Sequence, residues 1–207
     1  MNVKEIKLRF VKSFIINLDN GDQVIVDSGL PNSAQKILAE VNKDRVKYVI
    51  FTHSHIDHIG SAYELKNALR NAQFCIHKEG VKNLRGEEIR KPVVHSFTYK
   101  LLIGAFSSFT KKNFRGIEPD CELTEEELDG LQILYTPGHT SDSISIYIPS
   151  DNSIIVGDML QGTRNGLRMP VIHENIEELL KSIQRIKELK PRVVYVSHGE
   201  NGNNILV

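Results

Sequence analysis

The chain predicts a mixed α/β fold, with β-sheets carrying helices on their outer sides. Three observations predict it. Short apolar runs of strand length recur in both halves of the 207 residues. Two longer segments, Gly60 to Arg70 and Glu174 to Leu189, instead space their apolar residues by three and four, the period of a half-buried helix. Strands and helices thus mix throughout the chain rather than separating into blocks, and sheets with helices packed outside them accommodate that mixture.

Taken in order, Phe14-Ile15-Ile16-Asn17-Leu18 and Gln23-Val24-Ile25-Val26 flank Asp19-Asn20-Gly21-Asp22. Asn-Gly between two apolar runs is a strong hairpin signal. Asp27-Ser28-Gly29 closes the second strand. A helix is expected next, with Ser33 as N-cap and Ile37, Leu38 and Val41 on one face. Val46 to Phe51 reads as a buried strand. The helix from Gly60 follows, burying Ala62, Leu65, Ala68 and Leu69. In the second half Gln132–Tyr135, Ser143–Ile148 and Ser153–Val156 are expected strands. The helix from Glu174 turns Ile176, Leu179, Leu180, Ile183, Ile186 and Leu189 to one side. Pro191 stops it, and Arg192–Val196 is a last strand.

Residues 78–128 lack a clear period and hold an aromatic-rich stretch with Phe97, Tyr99, Phe106, Phe109 and Phe114. With no linker in evidence, the expectation is one domain, 1–207, carrying an insertion at about 78–128. That length supports one sizeable core.

Composition sets further bounds. Lys+Arg and Asp+Glu both total 26, so the net charge is zero. A balanced charge gives no general attraction to nucleic acid or to an anionic membrane, which argues against both as partners. The N-terminus, Met1-Asn2-Val3-Lys4-Glu5, lacks an apolar signal core, so a cytoplasmic address is the default expectation. Cys75 and Cys121 show no paired metal or redox spacing and are expected to be free thiols.

The chemistry concentrates after the strands. Thr52-His53-Ser54-His55-Ile56-Asp57-His58-Ile59-Gly60 places three of the eight histidines and a carboxylate within six residues. Imidazole and carboxylate are the donors that divalent metals such as zinc, iron and manganese accept. Alternate residues at a strand end point the same way, so His53 and His55 can reach one ion. The turn that follows sends Asp57 and His58 toward a second. Three further strand ends carry a ligand-type residue beside glycine: Pro137-Gly138-His139, Gly157-Asp158 and Ser197-His198-Gly199.

In this order these motifs resemble the metallo-β-lactamase-fold hydrolases, and the resemblance runs from Asp27 to His198. It implies a four-layer αββα sandwich of two mixed sheets, with the site along one edge. It also implies two divalent ions, zinc first, with iron or manganese as alternatives. His53, His55 and His139 would hold one ion. Asp57, His58 and His198 would hold the other, with Asp158 bridging. Asp27 would support the ligands from behind, and Asp57 has proton transfer as a secondary role. The chemistry implied is attack by a metal-bridging hydroxide on a thioester, ester or lactone.

The small glyoxalase II-like enzymes are the nearest look-alikes by motif. The chain departs from them by ending nine residues after His198, without their helical C-terminal domain. It departs again in Met159-Leu160-Gln161-Gly162-Thr163-Arg164, where they carry a Cys-Gly-Arg-Thr-Asp run. The expected partner is therefore a small molecule of unspecified identity. Phe106, Phe109, Arg164, Arg168 and His173 are offered as its pocket. The stretch 93–114 acts as pocket wall or lid, or else packs in the core or in a homodimer contact. His77 and His95 match no ligand position. The rival reading is a mononuclear-iron persulfide dioxygenase using His53, His139 and Asp158. A nuclease and a non-catalytic module rank below it.

Overall fold

The computed structural model describes residues 1–94 and 113–207. Six strands form the first sheet in sequential order: β1 (Asn2–Lys7), β2 (Lys12–Asn17), β3 (Gln23–Val26), β4 (Val46–Ile50), β5 (Gln73–His77) and β6 (Cys121–Leu123). β1, β2 and β3 pair antiparallel, whereas β3 to β6 run parallel. The second sheet orders as β13 (Val193–Tyr195), β10 (Ser153–Ile155), β9 (Ile144–Ile148), β8 (Leu131–Tyr135) and β7 (Glu126–Leu128). β11 (Gln161–Thr163) and β12 (Gly166–Arg168) make a separate hairpin.

Period-two alternation builds the layers. Phe14 and Ile16, Val24 and Val26, Tyr48 and Ile50 face the second sheet, meeting Ile133, Ile144, Ile146, Ile148 and Ile155. The intervening Ile15, Ile25 and Val49, with Phe51, Phe74 and Ile76, face outward against Ile37, Leu65, Leu69 and Leu84. Those four side chains come from α1 (Ala34–Leu38), α3 (Ala62–Ala68) with the residue after it, and α4 (Val81–Arg85). On the far side, Ile154, Val156, Val194 and Val196 pack on Leu179, Ile183 and Ile186 of α5 (Ile176–Leu189). The result is the αββα order that the resemblance implied. Side chains such as Phe14, Phe51 and Phe74 are fully buried, each contributing roughly 1.5–3 kcal/mol.

α5 starts where Asn175 accepts from the N–H groups of Glu177 and Glu178, an N-cap reinforced by two acidic residues at the positive end of the helix. Ile176 and Leu180, expected on its apolar side, are exposed instead, because the buried stripe follows Leu179, Ser182, Ile183 and Ile186. Ser33 opens α1, but its side chain makes no capping bond.

Three expectations change. A single turn of helix, α2 (Ile56–Ile59), precedes the one from Ala62, so Asp57 and His58 sit on helix rather than in a turn. Within 78–128, α4, β6 and β7 belong to the framework of the described fold. Cys75 and Cys121 are not free thiols: they are register partners on β5 and β6 and are joined in a disulfide. Phe106 and Phe109, with His95, Phe97 and Tyr99, lie outside the described residues. Phe114 packs against the first core. Among the described residues, no helix is long and apolar enough to cross a membrane.

Candidate metal centre

Parallel strands end on the same edge, and that edge gathers the chemistry. β3 delivers Asp27, β4 delivers His53 and His55, β8 delivers His139, β10 delivers Asp158 and β13 delivers His198. The two sheets are stitched at this edge by the Ile144 N–H donating to the Thr52 carbonyl at 2.9 Å.

Gly138 and Gly157 show why the motifs carry glycine. Gly138 has φ +130°, and a Cβ there would lie 2.2 Å from the Leu179 nitrogen at the start of α5. Only a residue without a side chain lets the helix approach, and Ser182 Oγ then donates to the Pro137 carbonyl at 2.7 Å. Gly157, with φ +56°, leaves room for the Thr52 side chain.

Two groups of donors form. In the first, the ring nitrogens of His53, His55 and His139 converge with Asp158; in the second, Asp57, His58 and His198 converge with the same Asp158. His55 Nδ1 lies 3.0 Å from His53 Nε2 and 3.1 Å from His139 Nε2. Tetrahedral donors about 2.0–2.1 Å from one ion must stand roughly 3.3 Å apart, close to this spacing. Asp158 faces both groups. Its Oδ1 is 3.5 Å from His58 Nε2, and its Oδ2 is 3.3 Å from His198 Nε2 and 3.7 Å from His139 Nε2. Asp57 Oδ2 is 3.4 Å from His198 Nε2 and 3.8 Å from His58 Nε2.

The donors fit a metal on their own chemistry. His58 Nε2 and Asp158 Oδ1 are buried and lack a hydrogen-bond partner among the described residues. Buried polar atoms without partners are costly, and a cation between them removes that cost. Each of three histidines is also fixed from behind. His58 Nδ1 meets Asp27 Oδ2 at 2.8 Å, His139 Nδ1 donates to the Ile172 carbonyl at 2.8 Å and His198 Nδ1 donates to the Phe10 carbonyl at 2.7 Å. Holding the proton on Nδ1 leaves the Nε2 lone pair facing inward. Asp27 is fully buried with φ +62°, and it accepts further bonds from the Thr52 N–H and hydroxyl.

The electrostatics divide the groups. Burial, reinforced by the neighbouring imidazoles, holds His53 well below its ordinary value and brings His55 to about 3. Burial also lowers His139 against the opposing charge of Asp158. These three present neutral lone pairs. Asp158 lifts His198 to about 10. Burial resists charging His58, yet Asp158, Asp27 and Asp57 together hold it well above its usual range. Without metal, protons on His58 and His198 balance the carboxylates that a cation would otherwise neutralise.

The structure thus brings together His53, His55, Asp57, His58, His139, Asp158, His198 and Asp27. Of the other expected pocket residues, Arg164, Arg168 and His173 are described, and none is among these converging donors. Arg164 is exposed in the β11–β12 turn and Arg168 is exposed on β12. His173 is half-buried, with Nδ1 3.3 Å from the Pro170 carbonyl. His77 is buried and stacks on the Tyr135 ring. Sequence reasoning missed the supporting carbonyls of Phe10 and Ile172, because main-chain groups leave no residue-type signal. It also missed that His55 turns Nδ1 inward.

A strand-edge cluster of five histidines and two aspartates on an αββα sandwich defines a metal-binding hydrolase scaffold. The chain belongs to the metallo-beta-lactamase superfamily, whose family model matches residues 6–198, and it is a metallo-hydrolase of that superfamily. It is 30% identical over 184 residues to the metallo-beta-lactamase fold-containing protein ST1585 of Sulfurisphaera tokodaii, covering 85% of this chain and 68% of that one. It is 30% identical over 192 residues to the probable metallo-hydrolase MJ0888 of Methanocaldococcus jannaschii, covering 88% and 85%. The crystal structure of TTHA1623 in a di-iron-bound form superposes with a TM-score of 0.72 at 20% identity, covering 97% of this chain and 94% of that one.

Proposed function

We propose that this protein is a dinuclear metallo-hydrolase that cleaves a thioester, ester or lactone of a small molecule. The observation that carries the reading is the position of Asp158, whose two oxygens face both donor groups at 3.3–3.7 Å. A carboxylate so placed suits two ions about 3.5–4 Å apart. His53, His55 and His139 would hold one, Asp57, His58 and His198 would hold the other, and zinc is the first choice for this nitrogen and oxygen set. When bound, such a pair supplies Lewis acidity, bringing the pKa of water near neutrality and polarising a carbonyl.

The chain's own residues prepare that chemistry. Asp27, Ile172 and Phe10 orient three imidazoles, so their inward lone pairs need no reorganisation when the site fills. Asp57 is the more exposed of the two aspartates, with its side chain 28% accessible against 12% for Asp158. It is the carboxylate through which a proton can reach or leave the site. Neither cysteine is among the converging donors, and direct hydrolysis needs no thiolate nucleophile.

The persulfide dioxygenase reading needs one iron on His53, His139 and Asp158. The completeness of the second group favours the dinuclear hydrolase. Metal quantification on purified protein, beside a panel of thioesters, lactones, esters and glutathione persulfide with oxygen uptake recorded, tests this. Two metals per chain with cleavage of a carbonyl substrate supports the proposal. One iron per chain with oxygen consumption overturns it.

A further inference from the structure

Arg90 lies four residues before the described chain stops at Val94, at the root of the insertion. Its side chain is 12% exposed. The guanidinium donates in three directions: Nε to Ser54 Oγ at 2.9 Å, Nη1 to Glu174 Oε1 at 2.6 Å and Nη2 to Ser141 Oγ at 3.2 Å. Beside it, Asp142 is fully buried with Oδ1 3.5 Å from Arg90 Nε. Neither oxygen of Asp142 has a hydrogen-bond partner among the described residues, so Arg90 compensates a buried charge while it binds three other groups.

The partners of Arg90 are the loops of the first donor group. Ser54 stands between His53 and His55. Ser141 follows His139 by two residues, and its N–H donates to Glu174 Oε2 at 2.8 Å. The Glu174 N–H donates to the Gly138 and His139 carbonyls. The root itself is fastened to the same place. Val94 bridges Ile172, the His173 N–H donates to the Val93 carbonyl, and the Ile172 carbonyl holds His139 Nδ1. His58 and His198 are braced elsewhere, by Asp27 and by the Phe10 carbonyl. Among the described residues no hydrogen bond or ion pair joins Arg90 to either of these braces.

We propose that Arg90 is a positioning residue for the three-histidine group, tying the geometry of that group, and not of the other, to the root of the insertion. A planar guanidinium can hold Ser54, Ser141 and Glu174 at once; an ammonium is a point charge and cannot span them. The proposal rests on the metal-centre reading, and its test separates the two.

Two backgrounds isolate the groups: His58→Ala with His198→Ala keeps the three histidines, and His55→Ala with His139→Ala keeps the other group. Arg90→Lys is added to each. Cobalt(II) affinity is measured by chelator competition, together with the visible ligand-field spectrum. In the first background Arg90→Lys lowers affinity by roughly 10- to 100-fold and alters the spectrum; in the second it changes neither. Equal weakening in both, or in neither, overturns the proposal. Where circular dichroism shows Arg90→Lys unfolded, Ser54→Ala replaces it. That variant keeps the Arg90–Asp142 pair and deletes only the bond to the His53–His55 loop, and the same selective loss is expected. If cobalt binds in neither background with Arg90 intact, the metal centre itself fails and the inference falls with it. If binding is intact and Arg90→Lys has no effect, the inference alone fails.

Discussion

Asp27→Asn isolates the contribution of a residue that touches no metal. Asp27 accepts from the Thr52 N–H at 2.8 Å through Oδ1, and meets the Thr52 hydroxyl at 2.8 Å and His58 Nδ1 at 2.8 Å through Oδ2. Asparagine has the same shape, and its carbonyl can replace Oδ1 toward the Thr52 N–H. Its NH2 group then faces His58 Nδ1 as a donor. His58 must answer with an unprotonated Nδ1, which leaves its proton on Nε2, where a ligand lone pair is required. A hydrogen bond to a charged group contributes about 1.5–3 kcal/mol, and each 1.4 kcal/mol is about tenfold in affinity. The second group should therefore lose roughly 10- to 150-fold in metal affinity, and the three-histidine group less, through the Thr52 hydroxyl that stands 3.1 Å from His53 Nδ1. Stepwise zinc titration by calorimetry against a competing chelator reads both steps. A second step of wild-type strength would refute the assignment of Asp27 as the residue that sets the His58 tautomer.

Other perturbations probe different parts of the account. With metal removed by chelation, stability should fall as pH rises. His198 is lifted to about 10 from 6.5, so its contribution is complete below about 6.5 and fades toward pH 10, and His58 acts in the same direction. The melting temperature of chelated protein should drop across that window while that of metal-loaded protein holds, and a rising temperature in chelated protein contradicts this sign. At the acid end, burial works against ionising Asp57, but His58 and His198 override it and bring its pKa to about 2. Its contribution is therefore lost as pH falls from about 4 toward 2. Gly138→Ala puts a Cβ against the start of α5 at a φ of +130° and should cost at least about 2 kcal/mol in chemical denaturation; a change below about 0.5 kcal/mol would show that α5 yields freely. Protein denatured without reductant should expose no reactive thiol, and reductant should release two, from Cys75 and Cys121. Two thiols without reductant would restore the free-thiol expectation.

The sequence carried the site better than the fold that holds it. His53 to His58, His139, Asp158 and His198 are chemically conspicuous and sit after apolar runs, which marked them as candidate ligands, and the family resemblance implied that they converge. β2, β3 and β4 were legible because their alternation or continuous apolar character is strong. β1 was not: in Asn2–Lys7 only Ile6 is buried, so an edge strand reads as a polar segment. β6 and β7 have three residues each, too few to show a period, which is why 78–128 read as lacking regular elements. The Cys75–Cys121 pairing joins residues 46 apart and depends on the register of a parallel pair, which spacing cannot reveal. Arg90 sits in the charged run Glu87-Glu88-Ile89-Arg90-Lys91. Such runs are usually solvated, and only the packed structure turns this arginine inward.

The most direct test is anomalous diffraction from crystals of zinc-loaded protein. Two peaks about 3.5–4 Å apart are expected, with Asp158 in contact with both, one beside His53, His55 and His139, and the other beside Asp57, His58 and His198. A single peak, or a peak that leaves Asp158 or His198 uncoordinated, would contradict the dinuclear centre.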